Sequence, residues 1–217
     1  MSEADATGRS RPPRRHARAS AARQPRMGLR ERKKAKTRNA LQEHALRLIR
    51  TQGYAATTIE QIAEAAEVSP STFFRYFPTK EDAVLYDPYD PLFAAAFRAQ
   101  PPGVSSMQAM RAAMRAVFDA LPAEEIDRVR DILPLILAVP EVRARALDGL
   151  AQTAQLCATL VAEREGRAVD DLAVRTFAGA VIGAMTAVLL AAASDPNADY
   201  KALADAALAQ LEAGLPL

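Results

Sequence analysis

Between Gly53 and Asp82 the chain is punctuated so closely that only short helices fit. Upstream, from about Arg30, Leu41, Ala45, Leu48 and Ile49 recur at helical spacing and mark one apolar face. Gly53 ends that stretch, as a left-handed residue after a helix would. Thr58 and Gln61 then have the spacing of a capping box, and Ile59, Ile62, Ala63 and Ala66 form a stripe of barely two turns. A tight connection at Glu67-Val68 leads to Ser69-Pro70, a serine cap with proline at the first helical position. That helix stops at Pro78, and Thr79 with Asp82 caps a fourth segment. Two helices joined by so short a turn, after a longer first one, describe a helix-turn-helix.

The remainder reads as longer helices. Asp87–Pro91 breaks the fourth segment, and Leu92–Ala99 resumes it. Met107, Met110, Met114, Val117, Phe118 and Leu121 share a stripe. A helix is expected over about Ala123–Val139, kinked at Pro134, and another from Pro140 toward Arg164, ended by Gly166. Thr176–Ser194 runs 19 residues without a charge, and Asp199–Ala213 is the last helix. Alanine fills 48 of 217 positions, and alanine loses least on entering a helix. No alternating strand pattern is present. The expected fold is all-α: an N-terminal three-helix bundle with the helix-turn-helix, and a larger C-terminal helical domain. The expected division is a disordered basic arm over 1–29, the DNA-binding unit over 30–84 and the body over 85–217.

Charge follows the same division. Residues 1–38 hold 13 of the 28 basic and three of the 26 acidic residues, a net of +10, which leaves the rest at −8. A basic end on an acidic body points to a polyanion, nucleic acid or an anionic surface. Residues 1–30 contain no apolar run of the kind a secretory signal needs, so a cytoplasmic protein is expected. The uncharged Thr176–Ser194 stretch has a membrane span's length, yet its alanine content and Gly179-x-x-x-Gly183 favour a buried, close-packed helix, so no membrane is expected. Cys157 is the sole cysteine, which excludes a disulfide scaffold. The histidines are His16, in the arm, and His44, in the first helix. No catalytic cluster, phosphate-cradling glycine loop, metal set or cofactor site is legible, so an enzyme is not expected.

The third helix carries the chemistry. Phe73 and Phe77, four apart, face inward, which turns Ser71, Thr72, Phe74, Arg75 and Tyr76 outward. Small hydroxyl residues let a helix approach base edges, Arg can bond guanine bidentately, and an aromatic ring can touch a thymine methyl. The helix N-terminus at Ser69 and the amides near Thr58 can hold phosphates, and Lys80 is placed to pair with the nucleic-acid backbone.

The string Gly53-Tyr54-x-x-Thr57-Thr58-Ile59-x-x-Ile62-Ala63-x-x-Ala66-x-Val68-Ser69-x-x-Thr72-Phe73-Phe74-x-Tyr76-Phe77-x-x-Lys80-Glu81 resembles the TetR family of bacterial regulators. The resemblance covers roughly residues 35–85. It implies a homodimer with an N-terminal headpiece on a double-stranded DNA operator and a larger C-terminal body for ligand binding and dimerisation, which takes a small effector. It also implies Thr58 and Lys80 as phosphate contacts, Ser69, Pro70, Ser71, Thr72 and Arg75 as operator-facing, and Tyr76 as a further contact. Phe74 departs from the family's frequent tyrosine, so it offers an apolar contact and no hydroxyl. The basic leader is longer than the family usually shows.

The body is less informative. Phe93, Phe97, Met110, Met114, Phe118, Phe177 and Met185 could line an apolar pocket or simply fill a core. Tyr86-Asp87-x-Tyr89-Asp90-Pro91-Leu92 is similar to a branch of the family with acyl-CoA-like ligands, and Arg111, Arg115, Arg128 or Arg130 could meet the phosphates. Gly179, Gly183 and Ala187 give a smooth face for close helix approach, so the last two helices are expected to dimerise. The reading is a sequence-specific repressor released by a small apolar effector. The alternative is a non-specific nucleic-acid or chromosome-organising protein that uses the Arg-rich arm.

Overall fold

A computed structural model describes residues 28–195 and 197–216, and among them ten helices and no strand. The expected arm lies outside the described residues as far as Met27. The headpiece is α1 (Leu29–Gln52), α2 (Ile59–Ala65), α3 (Pro70–Tyr76) and α4 (Lys80–Val84). The body is α5 (Asp90–Arg98), α6 (Ser106–Ala120), α7 (Ala123–Ala138), α8 (Pro140–Glu165), α9 (Leu172–Ser194) and α10 (Tyr200–Glu212).

Local chemistry explains the headpiece boundaries. Thr58 and Gln61 complete the capping box that opens α2, and Thr79 with Asp82 does the same for α4. Ser69 accepts from the Thr72 amide and opens α3, with Pro70 in its first turn. Gly53 corrects one expectation. Its φ is +87°, but ψ is 159°, so the backbone is not left-handed helical; its N–H still caps Ile49 O. Glycine alone enters that region easily, and a side chain there costs about 1–3 kcal/mol. The turn before α3 holds Glu67 at φ 56°, a left-handed non-glycine. Val68 N–H, donating to Ala63 O at 2.9 Å, closes it.

Two apolar clusters result. The first joins Leu41, Ala45 and Ile49 of α1, Ile62 and Ala63 of α2, Phe73, Phe77 after α3, and Val84 of α4. It also takes Val142 of α8, with Ile132, Leu135, Ile136 and Val139 packed against it. The elbow between α7 and α8 is therefore part of the headpiece core. The second cluster fills the body, from Phe93 and Phe97 through Met110 and Val117 to Leu160, Val174, Val181 and Leu208. Pro134 lies inside α7, which runs on as one helix past it.

The uncharged stretch differs from expectation. α9 is long and apolar enough to cross a membrane, and it buries only Val174, Ala178, Val181 and Val188. Its opposite face is open to solvent within one chain, including Gly179, Gly183 and Ala187.

α10 is tied to α6 by charge. Asp205 accepts from Arg111 Nε at 2.8 Å and Nη2 at 2.9 Å, and from Arg115; Arg111 also reaches Glu212 at 3.0 Å. Hydrogen bonds from both guanidiniums hold the Asp205 carboxyl far below its ordinary range. A depressed carboxyl stabilises the fold above its unfolded pKa, and the contribution fades as pH falls through the folded value. The body is therefore expected to melt progressively earlier below about pH 4. In thermal melts at pH 5 and pH 3, Asp205→Asn should lose less stability across that interval than the wild type does.

Candidate nucleic-acid interface

The headpiece core decides which side of α3 is free. Phe73 is fully buried and Phe77 nearly so, and their rings stand 5.9 Å apart. Ser69, Pro70, Ser71, Phe74 and Arg75 are exposed, and Thr72 and Tyr76 are half-buried beside them. Phe74 leaves 52% of its surface in water. It meets Phe73 edge-on at 5.8 Å. The hydroxyls are linked: Ser69 Oγ lies 2.9 Å from Ser71 Oγ and 3.0 Å from Thr72 Oγ1. Arg75 reaches Thr72 Oγ1 at 3.4 Å. A hydroxyl can donate or accept, so this row can adapt to either kind of base edge.

α1 adds a feature the motif reading missed. Leu29, Arg30, Lys33, Lys34 and Thr37 face Arg75 and Tyr76 across an open cleft of about 680 Å³. The spacing of Arg30, Lys33, Lys34 and Thr37 is one helix face, so the signal was present in the sequence. Arg38, next to Thr37, lies over the Tyr76 ring at 5.7 Å and the Tyr86 ring at 5.8 Å. Arg75 lies 5.4 Å from the Tyr76 centroid on its own helix. Basic groups on two helices thus border one concave surface, the arrangement that a phosphate backbone pairs with.

Two expected phosphate residues have local tasks. Thr58 Oγ1 accepts from the Gln61 amide at 3.2 Å, which leaves its hydroxyl proton free to donate outward. Lys80 turns onto the headpiece itself. Its Nζ donates to Tyr54 O at 2.8 Å and Thr57 O at 2.7 Å, and sits 3.8 Å over the Tyr54 ring. The Tyr54 hydroxyl in turn donates to Glu81. Burial pushes the Lys80 ammonium down from its ordinary value. Two of its three protons are committed, and the residue splices α4 to the loop before α2.

In the body, Phe93, Phe97 and Met110 are buried, and Met114, Phe177 and Met185 pack around them. Phe118 sits apart, edge-on to Tyr200 at 5.6 Å. Arg111 and Arg115 are held by Asp205, and Arg128 by Glu125 at 3.0 Å, so none stands ready for a phosphate. The Arg130 side chain lies outside the described residues. At the headpiece end, Asp87 and Asp90 are raised by burial. Burial, with Asp90 nearby, pushes the Cys157 thiol up to about 11.

Comparison with known proteins gives concordant matches. Residues 41–85 match the family described as bacterial regulatory proteins, tetR family, and residues 104–216 match the MftR C-terminal domain. The HTH-type transcriptional regulator TcmR of Streptomyces glaucescens is 40% identical over 151 residues, which is 66% of this chain and 67% of TcmR. Among solved structures, the Thermus thermophilus repressor FadR in complex with lauroyl-CoA aligns with a TM-score of 0.51 and 26% identity, over 83% of this chain and 95% of FadR. SmeT, the repressor of a Stenotrophomonas maltophilia multidrug efflux pump, shares the fold: its TM-score is 0.56 at 19% identity, over 82% and 89% of the two chains.

Proposed function

The chain belongs to the TetR family and is a DNA-binding transcriptional regulator, and from that premise we propose that it works as a homodimeric repressor released by a small apolar effector. The carrying observation is the outer side of α3, with its hydroxyl row, Phe74 and Arg75, open beside the basic cleft of α1. Ser69, Pro70, Ser71, Thr72, Phe74 and Arg75 enter the major groove, with Tyr76 at its edge. Arg30, Lys33 and Lys34 meet the flanking phosphates. Thr58 donates its free proton to a phosphate, and Lys80 acts mainly by fixing the α2 entrance.

Dimerisation uses α9 together with α8 in preference to α10. α10 turns Ala204 and Leu208 inward and is bound to α6 by its acids, whereas Leu147 of α8 and Leu172 and Leu190 of α9 are exposed. Gly179, Gly183 and Ala187 lie on that open face. The effector enters the Phe93–Met110–Phe177 cluster. An uncharged apolar molecule suits it better than an acyl-CoA, because Arg111, Arg115 and Arg128, three of the arginines offered for a CoA phosphate, are already paired.

The test begins by sequencing the DNA that the purified protein enriches from a random pool, then titrating Arg75→Ala against the enriched and scrambled sequences. A bidentate arginine–guanine contact is worth about 1–3 kcal/mol of discrimination. The variant should lose roughly 10- to 100-fold on the enriched sequence, relax one base position, and bind scrambled DNA almost as before. An equal loss on both DNAs would refute base reading by α3 and favour the non-specific binder.

A further inference from the structure

Gln42 carries a primary amide into the headpiece core, where it is fully buried beside Leu41 and Ala45. A buried amide must find partners or destabilise the fold. Gln42 finds them in three places. Its Nε2 donates to Val84 O at 3.0 Å and Tyr86 O at 2.8 Å, at the end of α4 and in the link to α5. Its Oε1 accepts from Arg128 Nη1 at 3.0 Å, on α7. Carbonyls only accept and a guanidinium only donates, so these partners fix the amide's orientation. Both donors and the acceptor are used.

The contacts continue in both directions. Arg128 Nη2 pairs with Glu125 Oε1 at 3.0 Å, and the Tyr89 hydroxyl donates to Glu125. On the other side Arg38, one turn before Gln42, covers Tyr86 and Tyr76. An unbroken path of contacts runs from α7 of the body to the last residue of α3. Among the described residues two other polar ties join the units: Asp82 to Arg145 at 2.6 Å, part-buried, and Arg50 to Asp131 at 3.2 Å, exposed at both ends. The exposed Arg50–Asp131 pair holds little. Of the residues in these ties, Gln42 is the fully buried one.

We infer that Gln42 and Arg128 form a clamp that sets the angle of the headpiece on the body, and through it the half-site spacing the protein accepts. Both are positioning residues: they touch no DNA and act through α1, α4 and Tyr86. The inference rests on the reading of the chain as a dimer on paired half-sites. Two recognition helices must match grooves about 34–36 Å apart, or a multiple of that turn, so a headpiece held at one angle accepts one spacing. A headpiece without this tie keeps the apolar packing of Ile132, Leu135, Ile136 and Val142 but no fixed polar register on α7, and samples several.

The test repeats the random-pool selection with full-length wild type, Arg128→Met and Gln42→Leu. Wild type is expected to enrich paired half-sites at one spacing. Both variants should enrich the same half-site sequence at several spacings, with affinity for the wild-type spacing lower by about tenfold. A purely structural role predicts lower melting temperature and the same fractional loss on every DNA, with the single spacing kept; that result overturns the clamp. Should Gln42→Leu fail to fold, Arg128→Met decides alone, because it leaves both amide donors of Gln42 bonded. A wild type that enriches no paired half-sites refutes the dimeric reading itself, an outcome distinct from variants that keep one spacing.

Discussion

Phe73→Ala is expected to melt the headpiece at 25 °C and abolish DNA binding while the body stays folded. Phe73 is fully buried at the centre of the smaller core, against Phe77 and among residues of α1, α2 and α4. Removing a buried phenyl ring costs about 3–5 kcal/mol through lost transfer energy and the cavity left behind. Whole domains are stable by only about 5–15 kcal/mol, and a unit this small sits at the low end. The body core shares none of these residues and should hold. Amide hydrogen exchange distinguishes the two: protection should vanish over α1–α4 and persist in α6, α9, α10 and the part of α8 that packs in the body core from Cys157 onward. Phe74→Ala, next in sequence but half exposed, is the control that stays folded. Operator affinity within twofold of wild type in Phe73→Ala would show that this ring does not organise the reading surface.

Gly183→Glu should have the second-largest effect, through assembly. The glycine lies on the exposed face of α9, and a side chain built there meets nothing within 4 Å in its own chain. The single protomer therefore tolerates the substitution. Across a close-packed pair of helices the same carboxylate would be buried without a partner, which is strongly unfavourable. The variant is expected to sediment as a monomer at low micromolar concentration. Losing the second headpiece removes the linked binding event, so affinity for a paired operator should drop by about 10²- to 10⁴-fold. A monomer that keeps wild-type operator affinity, or a variant that remains dimeric, contradicts the assignment of this face.

The headpiece was the legible part, because its signals are local. Capping boxes at Thr58 and Thr79 and the Ser69-Pro70 start each act within three residues, and the structure has all of them. Contacts between distant segments were not legible. Lys80 looks like a free cation in sequence, yet its carbonyl partners lie at Tyr54 and Thr57, more than twenty residues upstream. Arg111 and Arg115 are likewise neutralised by acids near the far end of the chain. Gln42 interrupts an apolar face without saying which carbonyls it will meet. For α9, the lack of charge suggests burial, and burial is one-sided within a single protomer. Hydropathy records that a surface avoids water but not which molecule covers it.

The place of Val142 in the headpiece core limits how such a regulator can be rearranged. The reading head ends at residue 84 along the backbone, yet its apolar filling is completed from beyond residue 139. Transplanting residues 28–86 onto a foreign sensor would strip Val142 from that core, together with the Ile132, Leu135, Ile136 and Val139 side chains packed against it. A working chimera has to carry the elbow around Pro140 as well. The smallest exchangeable cassette is therefore discontinuous in the gene, and recombination at a single crossover after residue 86 cannot supply it.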